Sequence, residues 1–307
     1  IASLIGVHHS TVARELNRVE GEYSAIKAHQ LAISKSANRG RPTKLTPQLA
    51  ALIESRLQQT WSSEEIVGAE LVGVLSFKTI YSWIHRGFLT VTETVLRRKG
   101  KKPSTQEKRG RFTVKRTIKE RPQEVEDREV FGHWELDTMV SSRGESKGCL
   151  VTFVERKTRF YIAVKMEDRT KDSMFLAISS LYNTLTSKLL KTFTVDRGKE
   201  FVCYEQVETK FGIPMYFADA YAAWQRGTNE NSNGLLREFF PKKTDLAQVT
   251  LDKLREVLML INNRPRKCLE FKTPFDMLKY EIRKLIYFCR ITYCNSRYIK
   301  MENYCTC

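Results

Sequence analysis

No window of this 307-residue chain approaches the roughly 18 uninterrupted apolar residues that a membrane-spanning helix needs, which argues against a membrane partner. No secretory apolar segment opens the chain either. A cysteine framework is missing: Cys149, Cys203 and Cys268 stand singly, and Cys289, Cys294, Cys305 and Cys307 crowd the last 19 residues. An odd count of seven with irregular spacing argues against paired disulfides. Cys-x4-Cys followed by Cys-x-Cys matches no common zinc spacing, so free thiols in a reducing, cytoplasmic setting are expected. Acid is scarce, with 35 Asp and Glu against 52 Lys and Arg, for a net charge of +17. Such a balance favours a polyanionic partner. Methionine is absent before Met139, and the expectation is a fragment cut inside its first structural unit.

What is present divides the chain. Residues 1–22 read as most of a helix-turn-helix: Ala2, Gly6 and Val12 keep the offsets that let two helices cross, turn and dock. Ser10 suits an N-cap. The second helix would then turn Ser10, Thr11 and Arg14 toward a DNA groove, with Val12 and Leu16 inward. Asn-Arg-Gly-Arg-Pro (38–42) reads as a linker.

A second helix-turn-helix-like unit spans 45–88. Thr46-Pro47 opens a helix with Leu49, Leu52, Ile53 and Leu57 at helical spacing. Ser62 to Glu65 forms a capping box, and a third helix from Ser76 carries Ile80, Trp83 and Ile84 on one face, with Trp83 in the core. Lys78 and Thr79 lie on other faces and are candidate DNA contacts. A basic linker covers 89–127; within it residues 97–121 hold twelve Lys or Arg against two Glu, a run suited to non-specific phosphate contact.

From about 128 the texture alternates. Trp134–Val140, Cys149–Glu155 and Phe160–Met166 read as consecutive strands, Asp172–Leu190 as a helix, Lys191–Asp196 as a strand, Tyr204–Phe211 as a helix and Met215–Ala218 as a strand. Antiparallel strands followed by alternating helices and parallel strands predict an α/β mixed sheet covered on both faces, the order of the ribonuclease-H-like fold.

Three acids fall at telling places. Asp137 lies on the first predicted strand, in Gly-His-Trp-Glu-Leu-Asp-Thr (132–138). Asp196 ends the fourth, in Thr-Val-Asp-Arg-Gly-Lys-Glu-Phe (194–201). Glu230 follows after 33 intervening residues, in Trp-Gln-Arg-Gly-Thr-Asn-Glu-Asn (224–231), in the first turn of a helix expected to be capped by Thr228. That helix would bury Leu235, Leu236, Phe239 and Phe240 and turn Glu230, Asn233 and Arg237 to a polar side. Three carboxylates from separated elements can hold two magnesium or manganese ions for in-line phosphoryl transfer, with water or a DNA 3′-hydroxyl as nucleophile. Singly, each acid also reads as a turn or cap residue, and Glu135 and Asp219 are rivals. Arg226, Arg237, Lys242 and Lys243 are placed to position DNA strands.

These blocks, together with Val154-Glu155-Arg156-Lys157-Thr158-Arg159 and the continuation Asn233-Gly234-Leu235-Leu236-Arg237, closely resemble the insertion-sequence family thirty (IS-thirty) of DDE transposases over about residues 1–279. The resemblance implies a retroviral-integrase-type catalytic domain at 128–279 and a triad of Asp137, Asp196 and Glu230. It also implies helix-turn-helix units that recognise terminal inverted repeats, strand cleavage and transfer on double-stranded DNA, and a multimer at synapsis. Ala220 departs from the family's usual proline, and 280–307 reads as an atypical tail with little order expected after about 288. A rival reading is a non-catalytic DNA-binding remnant acting as a repressor at the repeats; another is a simple metal-dependent nuclease.

Overall fold

The computed structural model describes residues 1–37, 43–96, 116–141, 146–185, 187–219 and 222–291. The linker at 38–42, most of the basic run, Ala220 and the tail from 292 lie outside them. The chain resolves into two compact units, Ile1–Leu49 and the remainder from Ala50.

In the first unit, one helical turn at the start (Ile5 N–H to Ile1 O, 3.1 Å) precedes Gly6 at φ +66°. That left-handed conformation is one that a Cβ disfavours. Helices α1 (His9–Leu16) and α2 (Ala25–Ala37) follow. The cap expected at Ser10 falls instead on His8, whose ring accepts from Ser10 N–H, because the helix begins before Ser10. Arg14 folds back on the same turn, donating from Nε to Ser10 O at 3.0 Å and from Nη2 to Ser10 Oγ at 3.3 Å. Thr11 is exposed. The inward stripe is incomplete: Val12 is half-buried and Leu16 is 46% exposed, so α1 buries no residue fully.

Helix α3 (Pro47–Gln58) opens at the unit boundary; α4 (Ser63–Glu70) and α5 (Phe77–His85) belong to the second unit. The capping box forms as the sequence dictates: Ser62 N–H donates to Glu65 Oε2 at 2.7 Å and Ser62 Oγ accepts from Glu65 N–H at 3.3 Å. Ser76 caps α5, and Ile80, Trp83 and Ile84 are buried with Ile53, Leu57 and Ile66. Lys78 is exposed and Thr79 half-buried. Arg264 pins this helical layer to the rest of the unit: it bridges Glu65 (2.7 Å) and Glu238 (3.3 Å) with its side chain only 5% exposed. A Cβ on Gly68 would lie 2.1 Å from the Phe271 ring, so α4 approaches that loop as closely as glycine alone permits.

After the short α6 (Gln123–Asp127), the strands are β1 (His133–Val140), β2 (Cys149–Glu155), β3 (Tyr161–Met166), β4 (Thr192–Val195) and β5 (Met215–Phe217). Among the described residues they form one sheet of order β3-β2-β1-β4-β5. β1 pairs antiparallel with β2, setting Asp137 opposite Thr152, and parallel with β4; β4 pairs parallel with β5. Helices α7 (Lys171–Thr184), α8 (Tyr204–Phe211), α9 (Gly227–Phe239), α10 (Leu251–Asn262) and α11 (Pro274–Ile291) complete the unit. α7 ends earlier than the sequence pattern suggests, because the chain turns at Leu185 to re-enter the sheet at β4.

Strand alternation sorts β1 between two cores. Trp134 and Leu136 join Phe153, Ile178, Phe193 and Val207 on one face, where Leu278 of α11 is buried and Ile282 and Leu285 pack alongside. Met139 joins Leu150, Tyr161, Leu236, Val257 and Ile261 on the other, under α9 and α10. Burial pushes the thiols of Cys149 and Cys203 up to about 11 and about 12, so both sit in the core as inert neutral groups. A mixed sheet with this order and helices on both faces is the ribonuclease-H-like fold. No helix among the described residues is long and apolar enough to cross a membrane.

Candidate active site

Asp137 lies on the face of central β1 that looks toward α9; Asp196 follows the last residue of β4 on the adjacent parallel strand. Both carboxylates are partly shielded, 24% and 15% exposed. They meet at one cation. Arg226 Nη1 lies 3.5 Å from Asp137 Oδ1, and its Nη2 donates to Asp196 Oδ2 at 3.3 Å. Arg226 also donates to the carbonyl of Leu136 at 3.2 Å.

Helix α9 supplies the roof. Asn233 Nδ2 donates to Asp137 Oδ2 at 2.9 Å, and Asn233 Oδ1 accepts from the Tyr161 hydroxyl at 2.6 Å. Burial holds that phenol far above its usual range, so it remains a donor. Asn229 is buried, its backbone N–H donating to Glu135 Oε2 at 3.0 Å and its Oδ1 accepting from Thr152 Oγ1 at 3.3 Å. Thr228 is not the cap: the helix starts at Gly227 with Arg226 in the cap position, and Thr228 accepts from Arg159 Nη1 at 3.0 Å. Glu230 is exposed in the first turn, three residues before Asn233. Among the described residues no three His, Cys, Asp or Glu side chains converge closely enough to hold a metal. The two aspartates are brought together and Glu230 stands outside the pair.

Several residues that support the pair were not legible as such. Glu135, two residues from Asp137 on the same face, is fully buried and ion-paired with Arg156, itself bonded to the Val125 carbonyl at 2.9 Å. Glu200 is buried against Arg169 (2.5 Å) and accepts from Thr138 Oγ1 at 3.1 Å, next to Asp137 in sequence. Gly198 sits between carboxylates: a Cβ there would be 2.5 Å from Glu200 Oε2 and 2.8 Å from Asp196 Oδ1. Its N–H donates to Asp196 Oδ1 at 2.9 Å. Glu155 accepts from Gly132 N–H at 3.1 Å and from both Thr158 N–H and Oγ, tying the start of β1 to the β2–β3 turn. The signal available in the sequence was period-two placement: Glu135 shares a strand face with Asp137, and two acids side by side on a buried face need a cation.

The other basic candidates divide. Arg237 spends its guanidinium on the carbonyls of Val140 (3.0 Å), Phe240 and Pro241 (3.4 Å each) at the end of α9. Lys242 and Lys243 are exposed just beyond. Asp219 is occupied by Gln225 (3.1 Å) and faces Arg197 at 3.7 Å.

Residues 127–223 match the family model described as "Integrase core domain". The chain is 34% identical over 301 residues to the transposase InsI for insertion sequence element IS30A of Escherichia coli, covering 91% of this chain and 78% of that protein. It is 35% identical to the transposase for insertion sequence element IS4351 of Bacteroides fragilis, covering 92% and 90%. To the transposase for IS1086 of Cupriavidus metallidurans it is 32% identical, covering 91% and 87%. With a ribonuclease-H-like sheet, an integrase core match and identity of this extent along the chain, the protein belongs to the IS30 family of transposases.

Proposed function

We propose that this chain binds the terminal inverted repeats of an insertion sequence, cleaves DNA strands at the repeat ends and joins them to target DNA, with Asp137, Asp196 and Glu230 as the catalytic triad. The observation that carries this reading is the convergence of Asp137 and Asp196, from adjacent central strands, on a single cationic group beneath the helix that bears Glu230.

The donor set suits magnesium or manganese: hard carboxylate oxygens, two of which already share one positive partner, beside a glycine that lets the Asp196 and Glu200 carboxylates approach the backbone closely. A pair of such ions, when bound, supplies charge neutralisation for the attacking and leaving oxygens. The chain's own part is positioning. Asn233 fixes the rotamer of Asp137, the Gly198 N–H fixes that of Asp196, and Glu135 with Arg156 holds the strand on which Asp137 sits. In this reading Glu230, exposed on α9 apart from the pair, joins it as the third ligand when metal and DNA are bound. The nucleophile is water or a DNA 3′-hydroxyl.

Double-stranded DNA is the partner. The exposed face of α5 around Lys78 and Thr79, the Ser10, Thr11 and Arg14 face of α1, and Lys242 and Lys243 beside the site are proposed as its contacts, with protomers pairing when two ends are brought together. The test is direct. Purified protein with manganese is incubated with duplexes carrying the element ends, and nicked and joined products are resolved on denaturing gels. Asp137→Ala, Asp196→Ala and Glu230→Ala should each abolish products while leaving binding to the ends intact. Undiminished activity in any one of them removes that residue from the triad. Binding without products from the unaltered chain would instead favour a non-catalytic repressor.

A further inference from the structure

Three arginines make contacts to β1 or to the side chains it carries, and they are held very differently. Arg156 is buried, salt-bridged to Glu135 and bonded to a backbone carbonyl. Arg237 is fixed by three carbonyls at the end of its helix. Arg226 touches Asp137 and Asp196 at 3.5 and 3.3 Å. Tight charge-assisted contacts between guanidinium and carboxylate run at about 2.7–2.9 Å, so these are loose. Its Nε is shut away from solvent and has no hydrogen-bond partner. A guanidinium so placed leaves its site at smaller cost than one with every donor satisfied. It sits at the N-cap of α9, where a short 3-10 turn runs into the helix and backbone dihedrals are not helical.

A guanidinium does not lose its proton, so whatever binds Asp137 and Asp196 with positive charge must contend with Arg226 as a permanent cation. Two carboxylates brought together without a cation would repel each other. Arg226 relieves that repulsion and keeps both side chains turned toward a common point.

We infer that Arg226 is an exchangeable counter-cation: it holds the Asp137–Asp196 pair in place of metal, and divalent ions load by displacing it. This rests on the assignment of those aspartates as metal ligands. The pair is then never bare, and its affinity for metal is set against an internal competitor. Arg226 is a positioning residue in this scheme, acting through the two carboxylates.

Manganese binding to the full chain without DNA, measured by titration calorimetry, tests it. Arg226→Gln should bind manganese about tenfold more tightly than the unaltered chain, because the competitor is gone. Arg226→Lys, which keeps the charge but cannot span both carboxylates, should fall between. Asp196→Asn should lose binding. If Asp196→Asn binds as the unaltered chain does, the metal-site assignment itself is wrong. If Asp196→Asn loses binding while Arg226→Gln binds no more tightly, only the exchange is wrong. A measurement on the unaltered chain covers the case of a variant that fails to fold. Phenylglyoxal labelling read by mass spectrometry should rise severalfold at Arg226 when manganese saturates, with Arg156 and Arg237 unchanged. Labelling of Arg226 that stays constant through saturation would overturn the proposal.

Discussion

Asn233 donates to Asp137 across 2.9 Å, and that bond joins helix α9 to the middle of the central strand. It sets one carboxylate oxygen and leaves the other facing Arg226. Asn233→Ala should therefore lower strand cleavage by about 10–100-fold, the usual cost of removing a group that orients a metal ligand. The thermal midpoint should fall little. A rate matching the unaltered chain would show that Asp137 needs no such support.

The Tyr161 hydroxyl stands behind Asn233, and the ring is buried. Tyr161→Phe leaves the half-buried Asn233 carbonyl oxygen without that donor. We expect a loss of about 1 kcal/mol in denaturant unfolding, the net worth of one such hydrogen bond. Cleavage should fall less than in Asn233→Ala, because Nδ2 can still reach Asp137.

Arg156 neutralises a carboxylate, Glu135, that has no exposure at all. Arg156→Met strands that charge and should destabilise the chain by about 3–5 kcal/mol. Glu135→Gln with Arg156→Met should recover part of the loss. Chemical denaturation of the two variants decides it, and equal stability of the single and double variants would refute the pairing as the cause.

His133 lies buried with Nδ1 2.8 Å from Thr192 Oγ1 and Nε2 3.2 Å from Glu124. Burial lowers its pKa below 6.5, reinforced by Lys191 and Arg156 and opposed by Glu124. The folded chain thus binds this proton less readily than the unfolded chain. Its contribution to stability is intact above the unfolded pKa and is lost as the pH falls from about 6.5 toward the folded value. His133→Gln should flatten the acid limb of a stability-against-pH curve; an unchanged slope between pH 7 and 5 would exclude the histidine as its source.

The carboxylates of Asp196 and Glu200 crowd the backbone of Gly198 so closely that any side chain there would strike them. Gly198→Ala should push Asp196 aside, reducing cleavage by about tenfold or more with only a modest change in thermal midpoint. Full activity would mean the loop relaxes without moving the carboxylate.

Much of this fold could be read from residue pattern, for reasons that differ by element. β2 and α8 agree to the residue with their periodicities because their ends coincide with turn and cap chemistry. The α4 cap was legible because Ser62 and Glu65 satisfy each other locally. Asp137 and Asp196 could be placed together because the order of elements is that of the ribonuclease-H-like fold, in whose sheet the strand ending at Asp196 lies near the first. The roles of Asn233 and Arg226 as partners of Asp137 and Asp196 could not be read, since they depend on how α9 is laid across the sheet. Residue type points to Thr228 as a cap, yet Gly227 accepts helical dihedrals and starts α9 two residues sooner than that cap would. At α1 the pattern predicts an apolar stripe facing inward, but Leu16 stays 46% exposed.

Arg264 ties Glu65 on α4 to Glu238 on α9, so the helical layer is fastened to the helix that lies over the carboxylate pair. On the function proposed above, the helical layer that faces the repeat is thereby coupled to the carboxylates that position the scissile phosphate. The interval from recognised base pairs to broken phosphate becomes a length stamped into the protein. Inserting half a helical turn of DNA between them should misplace the cut site rather than merely slow the cut.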